Sequence, residues 1–407
     1  MREAAANTLV MVLAGGQGER LYPLTRDRAK PAVPFAGSYR LIDFTLSNCL
    51  NSGLRRVLVL TQYKSDSLNR HVRLGWSIFN REIGEYIDIL PPQQRMSSDW
   101  YLGTAHAIYQ NIYLLEHERP TNVLVLSGDH VYRMDYMSML ERHVANDADV
   151  TVACRQEPVE SAAGALGVVA TDEDLRATAF EEKPAQPRTV VGRDDVCLCS
   201  MGVYVFKTEA LVRRVIYDAK RGSTHDFGRD VLPSMVEQGD RVFAYPFEGR
   251  YWRDVGTIDA YWHAHMELIG VQPVFNLYDR DWPVRGLPHS RPPAKTVFGG
   301  GPDGAPRTEI SNSLISNGAI ISGACVRDSV IGPDVHIEVG SRIERSIIFD
   351  GVRIGRNVTI QKAVIDKRNV IPDNARIGVD HAWDSRHFSV SQEGVVVMPK
   401  SIPFPPF

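Results

Sequence analysis

The chain has 407 residues, of which 43% are hydrophobic and 23% charged, with a formal net charge of −3. This length supports two or more domains and a large core. The mixed charge, with no basic run and no basic patch interleaved with aromatics, excludes a nucleic-acid surface. No apolar stretch approaches a membrane span, and the N-terminus MREAAANTLV has no basic segment followed by an apolar one, as a secretory signal would. Five cysteines, an odd and sparse set, argue against a disulfide framework. The expectation is a reduced, soluble, cytoplasmic protein that binds neither nucleic acid nor membrane.

In chain order, a short apolar run at residues 9–14 reads as a buried strand. It runs into VLAGGQGERLYPLTRDRAKP, Val12 to Pro31, which contains Gly15, Gly16, Gly18, Arg20 and Lys30. A glycine-rich turn after a strand lets backbone N–H groups approach an anion, because no Cβ intervenes. A helix starting just beyond would add its positive end, and Arg20 and Lys30 supply full charges for phosphates. Further on, Arg56–Thr61 reads as a strand, and residues 65–76 and 103–118 have helical spacing. Residues 123–126 form an apolar run typical of a central parallel strand, 135–144 a helix, and Val150, Val152 and Cys154 alternate as a further strand. Such alternation predicts a doubly wound α/β domain, whose ligands bind beyond the carboxyl ends of the strands.

Asp129, in Ser127-Gly128-Asp129-His130, lies at one such end. By itself it is equally a turn residue or a helix cap. Beside a phosphate loop it suits Mg²⁺, which takes one or two carboxylates plus substrate phosphates. Asp254, in Tyr251-Trp252-Arg253-Asp254-Val255-Gly256, is a second acidic candidate; alone it is also readable as a charge near the start of the helix expected over 258–269. In Phe180-Glu181-Glu182-Lys183-Pro184, Lys183 can hold a phosphate and Glu182 can accept from sugar hydroxyls, or the group is a solvated charge cluster. Tyr101 is either a platform for a sugar or a core tyrosine.

The pattern changes at 276–306, a stretch rich in Pro and Gly that reads as a connection. Beyond it Val352, Val358, Val364 and Val370 recur every six residues, as do Ile331, Ile337 and Ile343, and Ile365, Ile371 and Ile377. A six-residue period marks a parallel β-helix, with one apolar side chain per flat face pointing inward. The domains expected are 1–275, a connection 276–306, and a β-helix with C-terminal tail over 307–407.

Taken together, LAGGQGERLYPLT, RAKP, YRLIDFTLSNCLNSG, LTQYKS, PPQQRM, WYLGTAHA, SGDHVYRMDY, FEEKP, SMGVYVF, THDFG and YWRDVGTIDAYW resemble the sugar-nucleotide pyrophosphorylases, and most closely their bacterial ADP-glucose-forming branch. The resemblance covers nearly the whole chain. It implies a Rossmann-like nucleotidyltransferase domain with a mostly parallel sheet, followed by a left-handed parallel β-helix, in a homotetramer. It implies Mg²⁺-dependent reaction of ATP with glucose 1-phosphate at the first committed step of glycogen synthesis. Carried over residue by residue, it places Gly15, Gly16, Gly18, Arg20 and Lys30 on the triphosphate, and Gln94 and Gly103 near the nucleotide. Tyr101, Gly167, Glu182, Lys183 and Ser200 fall on glucose 1-phosphate, and Asp129 and Asp254 on the metal. Gln62 and Trp100 fall on positions that link regulatory and substrate sites, and Arg28 and Arg40 near effector sites. Small-molecule effectors are implied, with AMP, ADP or phosphate as inhibitor. Asp27 stands where relatives that respond to fructose 1,6-bisphosphate often carry lysine, and the IPFPPF tail lacks the basic cluster of some of them. The expected activator is therefore a singly phosphorylated sugar or a small carboxylate such as pyruvate.

Overall fold

The computed structural model of the chain describes residues 2–92, 100–288, 290–297 and 307–405. The strands that frame the first domain are β1 (Thr8–Ala14), β2 (Arg56–Thr61), β3 (Tyr86–Leu90), β4 (Asn122–Ser127), β5 (His130–Tyr132), β6 (Val150–Pro158), β7 (Gly167–Thr171), β8 (Ala177–Glu182), β9 (Val196–Lys207), β10 (Val242–Pro246) and β11 (Trp252–Asp254). Nine of them form one sheet, in the order β8-β7-β9-β4-β1-β2-β3, with β6 pairing to β9 and β10. The strands β4, β1, β2 and β3 are mutually parallel. The long β9 joins β4 antiparallel and carries the remainder of the sheet. The two strands left over, β5 and β11, pair antiparallel and set Asp254 opposite His130.

Alternation along β1 explains the layered packing, because successive side chains leave a strand on opposite faces. Leu9 and Met11 enter one core with Ile108, Leu115 and Leu211. Val10 and Val12 enter the other with Leu46, Leu68, Val72 and Trp76. A strand that feeds both cores is apolar through its middle, as β1 is over Leu9–Ala14 and β4 over Val123–Leu126. Cys197 and Cys199 lie on one face of β9, both buried, with their Sγ atoms 3.6 Å apart.

Two local expectations change. The turn after the glycines is a three-residue 3₁₀ turn, Glu19–Leu21, instead of a helix. Pro23, with no N–H to donate, follows at once and stops it. The single helix expected over 103–118 is two, Thr104–Tyr109 and Ile112–Glu118. Between them Asn111 turns its side-chain amide onto Ala107 O (2.8 Å) and Tyr101 Oη (3.0 Å). Short polar side chains that bond the backbone in this way compete with a continuous helix.

The second domain is a three-sided parallel β-helix, as its repeats predict, consistent with the left-handed form that the family resemblance implies. Each side is a sheet of two- and three-residue strands stacked coil on coil. Val330 pairs with Ile347 and Arg342 with Thr359, seventeen residues on, so a coil is one residue shorter than three sixes. Ile337, Ile354 and Ile371 stack within one side and Val326, Ile343, Ile360 and Ile377 within another, all buried. Corners recur in step: Gly340, Asn357 and Asn374 have φ of 79, 55 and 63°, left-handed values that Gly and Asn accept at low cost. The first strand of the solenoid, Lys295–Val297, pairs with Ile320–Ser322 and so lies inside the connection expected over 276–306.

The two domains share a core. Leu21, Phe35, Tyr261 and Phe275 of the first pack with Val330, Ile347, Phe349 and Val364 of the solenoid. Trp262 Nε1 donates to Arg345 O at 2.8 Å across the same boundary. Among the described residues no helix is long and apolar enough to cross a membrane.

Candidate active site

The carboxyl ends of β1 and β4, the β5–β11 pair and the antiparallel half of the sheet surround a cleft of about 840 Å³. It gathers Gly15, Gly16, Arg20, Lys30, Gln62, Tyr101, Gly103, Asp129, Gly167, Glu182, Lys183, Ser200 and Asp254, most of the residues singled out in the sequence. A second cavity of about 850 Å³, lined by Arg55, Arg56, Tyr86 and Glu118, lies at the opposite end of β2 and β3 and holds none of them.

Lys30, Asp129 and Asp254 meet at the floor. The Lys30 ammonium lies 2.9 Å from Asp129 Oδ2 and 3.0 Å from Asp254 Oδ1, with its side chain 10% exposed. Gly18 makes this possible: it has φ 64°, and a Cβ there would stand 2.9 Å from Lys30 Cβ. Burial pushes the Asp129 carboxyl up, but the charges of Lys30 and His130 and hydrogen bonds from Ser127 and Lys30 hold it well below the usual carboxylate range. Asp254 is held low against burial chiefly by the charge of Lys30. Burial pulls the Lys30 ammonium down, and the two carboxylates more than reverse that. His130 Nε2 stands 3.6 Å from Asp129 Oδ1 and 3.9 Å from Asp254 Oδ1, while its buried Nδ1 has no hydrogen-bond partner. Arg20 is the outer cation, 69% exposed and 4.0 Å from Asp254 Oδ2.

These groups suit a divalent cation. Two carboxylates already hold a positive charge between them, and hard oxygen donors are what Mg²⁺ takes. Among the described residues no group of three or more His, Cys, Asp or Glu forms a complete metal cage. The remaining donors would come from a ligand and from water.

Across the cleft, Glu182 ends β8 and Lys183 follows with φ 53°, a left-handed conformation uncommon for a non-glycine residue. The Lys183 side chain is 43% exposed with its Nζ 3.8 Å from Glu182 Oε1, so it is free to meet an anion. A Cβ on Gly167 or on Gly228 would come within 2.7 Å of Glu182 Oε2. Burial, and then the charge of Asp226, raise the Glu182 carboxyl. Gly103 is needed for a close approach: a Cβ there would lie 2.3 Å from His225 O and 2.4 Å from Thr224 O. Thr104 fastens the two segments, donating to Asp226 Oδ2 and accepting from Phe227 N, each at 3.0 Å. Tyr101 sits at the rim with its hydroxyl accepting from Asn111.

The structure also brings in Tyr204, Asp226, Phe227, Gly228 and Trp252, which had no assigned role. SMGVYVF, THDFG and YWRDVG had carried the resemblance, and that was their only signal. Other expected residues lie elsewhere. Gln94 is outside the described residues. Trp100 lies outside the cleft lining but stacks on Tyr63, which lines it, at 5.7 Å. Gln62 Nε2 donates to Tyr101 O at 3.1 Å, which ties the strand end to that loop. Arg28 is buried and bonds Asp366 of the solenoid at 2.9 Å. Arg40 is pinned to Ser67 O (2.6 Å) and Ser67 Oγ (2.9 Å).

Comparison with known proteins gives the same reading. Residues 9–270 match the family described as Nucleotidyl transferase, and residues 292–398 match GlmU-like, C-terminal hexapeptide. The chain is 50% identical over 400 residues to a glucose-1-phosphate adenylyltransferase of Rhodopirellula baltica, covering 96% of this chain and 89% of that protein. It is 50% identical over 398 residues to glucose-1-phosphate adenylyltransferase 2 of Alkalilimnicola ehrlichii, covering 96% and 93%. It is 48% identical over 408 residues to glucose-1-phosphate adenylyltransferase 2 of Vibrio cholerae, covering 98% and 99%.

Proposed function

We infer the reaction from a premise: the chain belongs to the nucleotidyl transferase family and, within it, to the glucose-1-phosphate adenylyltransferases. It is a nucleotidyltransferase that joins ATP and α-glucose 1-phosphate into ADP-glucose and diphosphate, the entry to bacterial glycogen synthesis. The observation that carries this reading is one cleft with two cationic poles, Lys30 with Arg20 on one side and Lys183 on the other, and two carboxylates at its floor.

A sugar phosphate is already a charged oxygen nucleophile, so no activated side chain is required. One of its phosphate oxygens forms a bond to the α-phosphorus of ATP. The bond from that phosphorus to the bridging oxygen breaks, and diphosphate leaves with the electron pair. The chain's task is to align two anions and offset their charge. Lys183 holds the attacking phosphate, and Glu182, Tyr101 and Ser200 orient the sugar. Gly15 and Gly16 offer backbone N–H groups to the triphosphate, Gly103 gives room beside it, and Arg20 faces the leaving diphosphate. Asp129 and Asp254 would hold Mg²⁺, which when bound supplies charge neutralisation on the phosphate oxygens.

The same reading gives residues 1–275 the catalysis, and gives the solenoid, from its first strand at Lys295–Val297 through 307–407, assembly into a homotetramer in the cytoplasm. Effectors act near Arg28 and Arg40, with a sugar monophosphate or a small carboxylate as activator and AMP, ADP or phosphate as inhibitor. Gln62, in the cleft lining, and Trp100, stacked on Tyr63, link those effectors to the substrate site. The test is product identification with glucose 1-phosphate, Mg²⁺ and each of ATP, UTP, dTTP, CTP and GTP. ATP giving the dominant turnover, with ADP-glucose as product, is expected. Faster turnover with another nucleotide would refute the assignment.

A further inference from the structure

We propose that Lys30 is the resident counter-ion of the two-carboxylate site, and that it is displaced when a divalent cation enters with the nucleotide, its ammonium then passing to the phosphate chain. The proposal rests on the reading of Asp129 and Asp254 as metal ligands. Its starting point is the position of one atom. Lys30 Nζ is within 3.0 Å of an oxygen of each carboxylate, which is where a bound cation would have to compete with it. Two carboxylates converging on one point repel each other without a cation between them. Lys30 removes that repulsion in the nucleotide-free protein, and Arg20 stands 4.0 Å from the other oxygen of Asp254.

A divalent cation added to this arrangement would place three positive groups around two negative ones. Lys30 is the group able to leave. Its stem is seated against Gly18, but its end is a flexible point charge. The cleft beside it is lined by Gly15, Gly16 and Gln17, and around Gly16 nothing lies within 4 Å of a Cβ position. An ammonium that moves there gains nothing unless an anion waits for it. The phosphates of a nucleotide are that anion. Metal and nucleotide therefore bind cooperatively: each makes the other's site available, and the coupling is reciprocal. Free metal alone must displace a buried ion pair with no compensation, so it binds weakly.

The probe is Mn²⁺, titrated into nucleotide-free protein and followed by electron paramagnetic resonance. Lys30→Met, which removes the charge and keeps much of the stem, should bind Mn²⁺ about tenfold or more tighter than the unmodified chain, since the competing cation is gone. Lys30→Arg, which keeps the charge, should bind it as weakly as the unmodified chain. Addition of ATP should raise Mn²⁺ affinity strongly in the unmodified chain and much less in Lys30→Met. Equal or weaker Mn²⁺ binding in Lys30→Met, with Asp129→Asn still lowering it, would overturn the counter-ion role and leave the metal reading standing. Tight Mn²⁺ binding that survives in Lys30→Met combined with Asp129→Asn would place the ion elsewhere and overturn both. Circular dichroism of each variant confirms that the fold is retained.

Discussion

At the scale of residues, the site works by pairing opposite charges before any substrate arrives. Lys30 is matched by Asp129 and Asp254, whereas Lys183 has only a 3.8 Å approach to Glu182 and stays 43% exposed. The two lysines therefore differ in what a substitution would reveal. A charge-assisted hydrogen bond to phosphate lost at Lys183 should raise the KM for glucose 1-phosphate by about 10- to 100-fold. In Lys183→Gln the KM for ATP should move by less than about threefold, because uniform binding is lost for one substrate only. Initial-rate kinetics with each substrate varied in turn checks the split, and parallel rises in both values would remove Lys183 from the sugar-phosphate site. Asp129 was legible in the sequence because it follows an apolar strand, where a doubly wound sheet puts ligands, whereas Glu182 and Lys183 rested on the family resemblance, since FEEKP alone reads equally as a solvated charge cluster. The direction of the Lys30 side chain was not legible. It depends on Asp254, 224 positions away, and no local pattern records that approach. Tyr204, Asp226 and Trp252 were missed for the same reason, since they reach the cleft from the antiparallel strands and their connections.

At the scale of elements, the buried central strands were read well, the other strands and the helices near the site less well. β1, β2 and β4 are almost wholly buried, and continuous apolar runs announce such strands. The helix expected after the glycines failed at Pro23, and the helix over 103–118 split where Asn111 bonds Ala107 and Tyr101. The helix Ile258–Met266 carries a titratable group that the sequence did not single out. His265 is fully buried, accepts at Nε2 from Ala36 N (3.0 Å) and donates from Nδ1 to Tyr261 O (2.9 Å), so its neutral form is the one that fits. Burial lowers it to about 4. Unfolded, the group titrates near about 6.5, so between those values the unfolded chain binds more protons. Stability from His265 is therefore complete above about pH 6.5 and is lost as pH falls toward about 4, a total on the order of 3 kcal/mol. His143, likewise buried and lowered to about 4, acts in the same sense and stays constant in the comparison. Urea titrations of the unmodified chain and His265→Gln across this range should show a shallower pH slope in the variant. Identical slopes would contradict the neutral, buried assignment.

At the scale of the whole molecule, the two domains are joined through packing and through charge. The shared core around Phe35, Tyr261, Phe349 and Val364 fixes the solenoid against the catalytic domain. The Arg28–Asp366 pair, with side chains 5% and 2% exposed, crosses the same boundary two residues before Lys30. A change in the solenoid thus has a short path to the cation at the floor of the cleft. Repeat spacing announced the solenoid, though its seventeen-residue coil and its first strand at Lys295–Val297 came from pairing that a six-residue period does not specify. The joining of the domains was not legible at all, because shared-core residues such as Tyr261 and Val364 look like ordinary apolar positions in their own segments. The central claim is that this cleft directs a phosphate oxygen of glucose 1-phosphate onto the α-phosphorus of ATP. The measurement that bears on it most directly uses glucose 1-phosphate labelled with ¹⁸O in its phosphate, with products analysed by mass spectrometry and ³¹P NMR. All the label is expected in ADP-glucose, including the oxygen bridging its two phosphorus atoms, and none in diphosphate. Label in the diphosphate, or no ADP-glucose formed from ATP, would contradict that claim.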